Sequence, residues 1–298
     1  MGDPAVFAGL RSLLFSIAYR MLGSVTDAED MVQEAFLRWD RVPDAEVVSP
    51  KAYLSSVVTR LCIDHLRSAR VARETYVGPW LPDPILTAVA DPDGGGEDRA
   101  LLADSLSMAF LVLLESLSPV ERAVFLLRET FGYDYAEIAS IVGRSEANCR
   151  QITVRARKQL EARRPRFAAS PAMRERITGK FIHAAETGDL AELLDLLSDD
   201  IVLWSDGGGK VRAARHPVVG PVRVARLLLG LTRRYAGLLV PTPAEINGQP
   251  GLLLAVAGAR IGALVLDITD DDREGGPISG IRIVVNPEKL AGIAGGTG

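Results

Sequence analysis

The stretch from Asp134 to Leu160 limits the fold more than any other part of the chain. Asp134 followed by Glu137 is a capping box, in which two side chains satisfy backbone N–H groups that a first helical turn leaves without partners. Ile138, Ala139, Ile141 and Val142 then give that helix an apolar face, and Gly143 supplies a sharp turn. Ser145 caps a second helix, in which Cys149, Ile152, Ala156 and Leu160 recur at helical spacing. Two short helices with facing apolar stripes make a helix-turn-helix. Around the second helix, Arg144, Glu146, Arg150, Gln151, Arg155, Arg157 and Lys158 remain for solvent. A helix that is apolar inside and basic and hydrogen-bonding outside fits the major groove of DNA.

The net charge of −4 is not that of a typical nucleic-acid binder, but its distribution is uneven. Between Arg144 and Arg166 eight basic residues face only Glu146 and Glu161, whereas acids gather at Glu186–Asp200 and Asp270–Glu274. A local basic face can bind phosphates by counterion release even in an acidic chain. The 298 residues allow two or three domains, and 48% hydrophobic with 24% charged residues indicates folded protein. No run of about 18 uncharged apolar residues occurs, so no membrane span is expected. The start of the chain lacks the basic and apolar regions of a signal peptide. Cys62 and Cys149 both lie in amphipathic patterns and read as small buried thiols. These readings suit the cytoplasm.

Along the chain, Phe7, Leu10, Leu14, Ile17 and Met21 form a helical stripe ending at Gly23. Thr26 with Glu29 reads as a capping box opening a second helix through Trp39. Ser49 and Pro50 open a third from Lys51 to about Ala72, leaving Val42–Ser49 as a loop. Residues 76–97 read as a linker, with Pro79, Pro82 and Pro84 near its start and a glycine-rich acidic turn at Asp91–Gly96. Trp80 and Leu81 are out of place in a solvated tether, so part of the linker should dock. A helix is expected over Asp98–Leu117, and Ser118, Pro119 and Glu121 start another to about Thr130. After a break at Arg163–Pro171 come helical patterns at Met173–Thr187, Leu190–Leu197 and Val222–Tyr235, and a short apolar run at Ile201–Trp204. Strand patterns follow at Ala244–Gly248, Gly251–Val256, Ile261–Ile268 and Ile278–Val285, antiparallel in appearance. The expected fold is multidomain: all-α domains at 1–75 and 98–165 and an α+β domain at 172–298.

Ser24–Trp39, with the phrase DAEDMVQEAFLR at Asp27–Arg38, and the later helix containing Val58–Arg67 resemble the region-two domain of extracytoplasmic-function sigma factors. Ser118–Leu160 resembles their region-four domain, and the two resemblances span just over half the chain. Phe181–Val202 looks like the opening of a SnoaL-like cone, an α+β barrel with a curved sheet, which a SigJ-like subgroup of these factors carries. That subgroup's marks are similar to Trp80–Pro84, Asp206–Lys210 and Asn286–Leu290.

The resemblance implies a non-catalytic protein that binds core RNA polymerase, directs it to promoter DNA and helps open the duplex. It sets Asp27, Glu29, Asp30, Gln33 and Glu34 against polymerase; from spacing alone they could equally be a solvated helix face. It brings Lys51, Arg60, Arg67, Arg70 and Arg73 to the minus-ten element, where they hold phosphates and not bases. The resemblance also implies that the 42–49 loop captures an unstacked base. In the helix-turn-helix, Glu146, Arg150 and Gln151 read base edges, while Arg144, Arg155, Arg157 and Lys158 contact phosphates.

The C-terminal domain admits three readings: an enzyme, a sensor of a small-molecule ligand, or a regulator of the two helical domains. His183 and His216 have no base partner at diagnostic spacing, and His183 reads as structural, so no catalysis, cofactor or metal is expected. Gly207, Gly208 and Gly209 permit left-handed backbone and close approach. Alone they could form a plain hairpin turn; the resemblance, in which this loop occurs together with the linker motif, implies that Asp206–Lys210 docks near Trp80, Pro82 and Asp83 of the linker, with Asn286 and Pro287 as the third mark of this regulatory set. The rival reading of the whole chain is a helix-turn-helix regulator with a ligand-binding or enzymatic SnoaL-like domain, which needs no polymerase surface.

Overall fold

The computed structural model of the chain describes residues 2–42, 47–87, 105–161, 169–269 and 276–293. The chain forms two compact units, Met1–Thr75 with Phe110–Arg164, and Tyr76–Ala109 with Pro165–Gly298. The linker thus belongs to the C-terminal unit. Residues 43–46 of the expected base-capturing loop, the rest of the linker, residues 98–104 and the acids at 270–274 lie outside the described residues.

In the first unit, α1 (Pro4–Leu22), α2 (Val25–Asp40) and α3 (Pro50–Glu74) pack on one another. Ser24 caps α2 by accepting from the Asp27 N–H at 3.3 Å, so the helix begins before the Thr26 expected as its cap. Ser49 caps α3 through the Ala52 N–H, as its Ser-Pro signal implies. α1 is long and apolar enough in composition to cross a bilayer. Its Phe7, Leu14, Ile17, Ala18 and Met21 are instead buried, with the Phe7 ring edge-on to Phe36 at 5.0 Å.

The helix expected over Asp98–Leu117 is shorter within the described residues. Ser105–Ser107 is non-helical, and α4 covers only Met108–Leu114. α5 (Pro119–Glu129) and α6 (Tyr135–Val142) each open on a complete capping box, Ser118 with Glu121 and Asp134 with Glu137. Gly143 ends α6 in the left-handed region (φ 65°), and α7 (Glu146–Glu161) buries Cys149, Ile152, Thr153, Ala156 and Leu160. Both cysteines are buried and free, and burial pushes the Cys62 thiol well above its ordinary pKa.

A buried arginine, a buried pair of hydroxyls and the exposed Arg60 tie the two helical segments together. Arg122 of α5 donates to the Met21 carbonyl at 2.7 Å and to Leu114 O at 3.0 Å. Ser55 of α3 and the Tyr133 hydroxyl share a buried hydrogen bond of 2.6 Å. Arg60 of α3 donates from Nε to Ile141 O and from Nη2 to Ser140 O, each at 2.8 Å. Those carbonyls end α6, where unpaired acceptors and the negative dipole end favour a cation.

The C-terminal unit is α+β. Its helices are α8 (Pro171–Thr187), α9 (Leu190–Leu196) and α10 (Pro221–Arg234); its strands are β1 (Leu197–Asp206), β2 (Val218–Val219), β3 (Leu239–Ile246), β4 (Gln249–Val256), β5 (Ala259–Ile268) and β6 (Ile278–Val284). The sheet order is β2-β1-β6-β5-β4-β3. β1 and β6 are parallel, while the other neighbouring strands run antiparallel. That pairing joins the first long strand to the last, a relation that alternation along one strand cannot encode. α8, α9 and α10 cover one sheet face, with Phe181, Leu193, Leu203, Leu228, Leu266 and Ile281 in the core between. On the other face Arg282 is buried beside Asp267, its guanidinium 4.6 Å from the Trp204 ring centre. Desolvation lowers its pKa to about 10.

α6 is only eight residues long, so its cap matters. Asp134→Ala should destabilise the helical unit by about 0.5–2 kcal/mol in chemical denaturation. Glu137→Gln keeps an acceptor for the Asp134 N–H and should cost less.

Candidate functional site

On α2 the five residues expected to face polymerase divide. Asp30 and Gln33 are exposed, and Leu37, one turn further along the same line, is 45% exposed. Asp27, Glu29 and Glu34 are half-buried. They sit near His65 (3.6 Å), on Arg11, and on Arg38 (2.9 Å) respectively. The outward stripe is therefore short, polar and partly apolar, suited to a protein partner.

The expected promoter cations also divide. Arg67 is exposed and pairs with Asp64 at 3.2 Å, and the exposed Lys51 has its ammonium 5.4 Å from the Tyr133 ring centre. Arg60 is held by α6 carbonyls; sequence spacing carries no sign of that, because the contact joins residues eighty positions apart. Arg70 lies on α3, but its side chain, like that of Arg73, lies outside what the structure describes.

On the helix-turn-helix, Arg144, Glu146, Arg150, Gln151, Arg155 and Lys158 are all exposed. Arg150 pairs with Glu146 at 2.8 Å and lies 4.9 Å from the Tyr135 ring centre, so its guanidinium is oriented before any ligand arrives. Arg157 differs. Its Nη2 reaches both Glu129 oxygens at 2.8–2.9 Å, which raises its pKa, so it fastens α7 to α5.

In the C-terminal unit the three motifs singled out in the sequence meet at one carboxylate. Asp206 ends β1 and is fully buried. It accepts from the Tyr76 hydroxyl (2.6 Å), the Leu81 N–H (2.8 Å), the Gly208 N–H (3.0 Å) and the Lys289 ammonium (2.9 Å). Lys289 lies on α11 (Pro287–Leu290), donates also to Leu81 O, and stands 4.3 Å from the Trp80 ring centre and 4.0 Å from Asp83. Asn286 caps α11 through the Glu288 N–H and donates to the Tyr76 oxygen at 3.2 Å. Pro82 is buried, Pro287 is the exposed first residue of α11, and Lys210 pairs with Glu288. Gly208 has φ 59°, and a Cβ there would meet the Asn286 amide at 2.3 Å. Only glycine lets the loop approach so closely.

A second anchor follows along the linker. Asn247, buried with φ 53°, accepts from the Ile85 N–H at 3.0 Å and donates through Nδ2 to Leu106 O at 3.2 Å. Leu86 bridges Ile246 in antiparallel fashion, and Thr87 N–H reaches Glu245 O at 3.1 Å. The linker thereby pairs with the end of β3 at Glu245 and Ile246, an edge strand whose earlier part is guarded by Pro241 and Pro243. Lys289, Tyr76 and Asn247 were not among the expected site residues. Lys289 had a signal, since it follows the Asn286 cap by three positions and so returns to the same side of one helical turn.

His183 and His216 are both exposed, so His183 does not take the structural place expected for it.

Two helical domains in this order, one ending in a basic helix-turn-helix, define a promoter-binding factor of the sigma-70 class. Sigma-70 region 2 matches residues 6–71 and sigma-70 region 4 matches residues 107–160. The chain is 38% identical to the ECF RNA polymerase sigma factor SigJ of Mycobacterium tuberculosis, over 97% of this chain and 94% of that one. It is 36% identical to the probable ECF sigma factor SigI of the same species, over 97% and 95% of the two chains. The crystal structure of Mycobacterium tuberculosis SigJ superposes with a TM-score of 0.74 at 34% identity, covering 97% of this chain and 99% of that one. The chain belongs to the extracytoplasmic-function sigma factors, which bind core RNA polymerase and promoter DNA and direct transcription initiation.

Asp206→Ala leaves the buried Lys289 charge with only the more distant Asp83 carboxylate, at 4.0 Å, and should cost the C-terminal unit up to about 3–5 kcal/mol in denaturant unfolding. Tyr76 supplies a pH signature. Burial, and then the Asp206 hydrogen bond, raise its pKa above the ordinary 10.0. A group that holds its proton more tightly when docked contributes its full stabilisation below pH 10 and loses it as pH rises through the raised value. Limited proteolysis within the linker should accelerate across that alkaline range in the parent chain, and Tyr76→Phe should flatten the response.

Proposed function

We propose that Asp30 and Gln33, with Leu37, meet core polymerase. Lys51, Arg67 and Arg70 hold minus-ten phosphates, and α7 reads the minus-thirty-five element through Glu146, Arg150 and Gln151. The orientation of Arg150 by Glu146 and Tyr135 supports this reading, because a guanidinium held in place loses less entropy on meeting guanine. Arg60 joins the minus-ten set when α6 releases it. Work on promoters at core polymerase assigns the protein to the cytoplasm.

The C-terminal domain modulates this activity by holding the linker between the two helical regions. One observation carries the proposal: the Asp206 carboxylate gathers donors from the linker, the glycine loop and α11. A tether fixed along Tyr76–Thr87 has less reach than a free one, so docking limits how far apart the two promoter grips can stand. A cavity in the same domain favours a second reading, in which a small molecule tunes the clamp. Catalysis gains no support, since neither histidine lines that cavity.

Run-off transcription with core polymerase tests both layers. Arg150→Ala should lose about 1–3 kcal/mol of promoter binding and relax specificity at one minus-thirty-five position. Uniform weakening on every promoter would limit Arg150 to the backbone. The full chain, a truncation after Arg166 and a variant with alanine at Gly207–Gly209 should differ by about fivefold or more in transcription. Equal activity from all three would remove the regulatory reading.

A further inference from the structure

The helix-covered side of the sheet is not completely filled. Between it and the C-terminal halves of α8 and α10 lies a cavity of about 760 Å³. Its floor is apolar, with Leu252, Leu254, Leu264 and Ile283 from three adjacent strands. Its lining includes three arginines, Arg212, Arg233 and Arg234, and one carboxylate, Glu186. The arginines hold their charge in water at the rim while the floor stays apolar. The volume falls within the range of small-molecule sites, about 300–1,000 Å³. The excess of arginines at the rim favours a guest that ends in an anion there, and a fully polar guest would be desolvated against leucines without partners.

We infer that this cavity binds an amphipathic carboxylic acid, its hydrocarbon body on the β4–β6 floor and its carboxylate at Arg212 and Arg233. The inference rests on the reading of the C-terminal domain as a ligand-tuned module and gives that ligand a chemical class. It also supplies a route to the clamp. Val211 and Arg212 line the cavity immediately after the glycine loop that seats Tyr76, and Val211 N–H returns to Gly207 O at 3.3 Å. Ile283 and Val285 line it immediately before Asn286, and the Val285 N–H donates to Asp206 O at 2.8 Å. Two short segments are thus cavity wall on one side and linker clamp on the other. A guest that prefers one arrangement of either segment shifts the linker equilibrium by its differential affinity.

The test titrates the full chain with cis-parinaric acid, a fluorescent long-chain acid, and with its neutral methyl ester. The acid should saturate one site and be displaced by palmitate. The double substitution Arg212→Ala with Arg233→Ala should weaken the acid about tenfold, 1.4 kcal/mol, and leave the ester unchanged. Leu254→Trp fills the floor and should weaken both probes, with Ala185→Leu on the helical wall as a second filler should the first fail to fold. Equal binding of acid and ester, untouched by the arginine changes, would overturn the anionic class while sparing the ligand reading. Failure of both probes to bind, or binding that survives both fillers, would overturn the site and the ligand reading with it.

Discussion

The buried carboxylate of Asp206 is the interaction on which the C-terminal half is organised. A charge out of water must be answered by donors, or it shifts to its neutral form or moves. Here the answer comes from the glycine loop, from Lys289 at the other end of the domain, and from a linker more than a hundred positions earlier. The parallel pairing of β1 with β6 makes this convergence feasible, since it brings Asp206 level with Val284, just before the Asn286 turn. Asn286 N–H and Val285 N–H both return to the Asp206 carbonyl, so one residue anchors strand end, turn and linker together.

The helical unit solves a related problem differently. Its two sigma regions meet through arginines that bond to backbone carbonyls: the buried Arg122 to Met21 and the exposed Arg60 to the end of α6. Carbonyl acceptors are available wherever a helix ends, and water can replace them at modest net cost. Such an interface is cohesive in the free chain and separable when a partner offers better acceptors. Phosphate oxygens are better acceptors for Arg60, because they carry full charge.

Helix caps and apolar stripes were legible in the sequence because they are local. Asp134 with Glu137, Ser118 with Glu121, and Ser49 before Pro50 all act where their spacing indicates. The Thr26 signal misplaced a boundary because Ser24 offers the same chemistry two residues earlier. The contacts of Arg60, Tyr133 and Lys289 were not legible, since each reaches a partner that only tertiary folding brings near. Trp80 and Leu81 are an intermediate case. Their apolarity in a proline-rich tether announced docking, and Asp206–Lys210 and Asn286–Leu290 were singled out beside them, but not the cation joining all three. Asn247 was hidden for another reason: read as part of a strand, it is a left-handed turn residue whose side chain caps the incoming linker.

The chemistry of the clamp also bears on whether it can open. Three of the linker's hydrogen bonds, Tyr76 and Leu81 N–H to Asp206 and Lys289 to Leu81 O, involve charged groups, each worth about 1.5–3 kcal/mol net. Against them stands the entropy of ordering the backbone, about 1–2 kcal/mol per residue. The two terms are of the same order along Tyr76–Thr87, unlike the apolar core beneath α8 and α10, where burial dominates. Water can solvate Asp206 and Lys289 once the linker leaves, and the ion pair itself can persist within the domain. A linker seated by leucines alone would have no such substitute partner and would detach only with exposed apolar surface. The polar part of the seat, at Tyr76, Leu81, Asp206 and Lys289, can therefore exchange its partners for water, while the buried Leu81 side chain must still give up apolar contact.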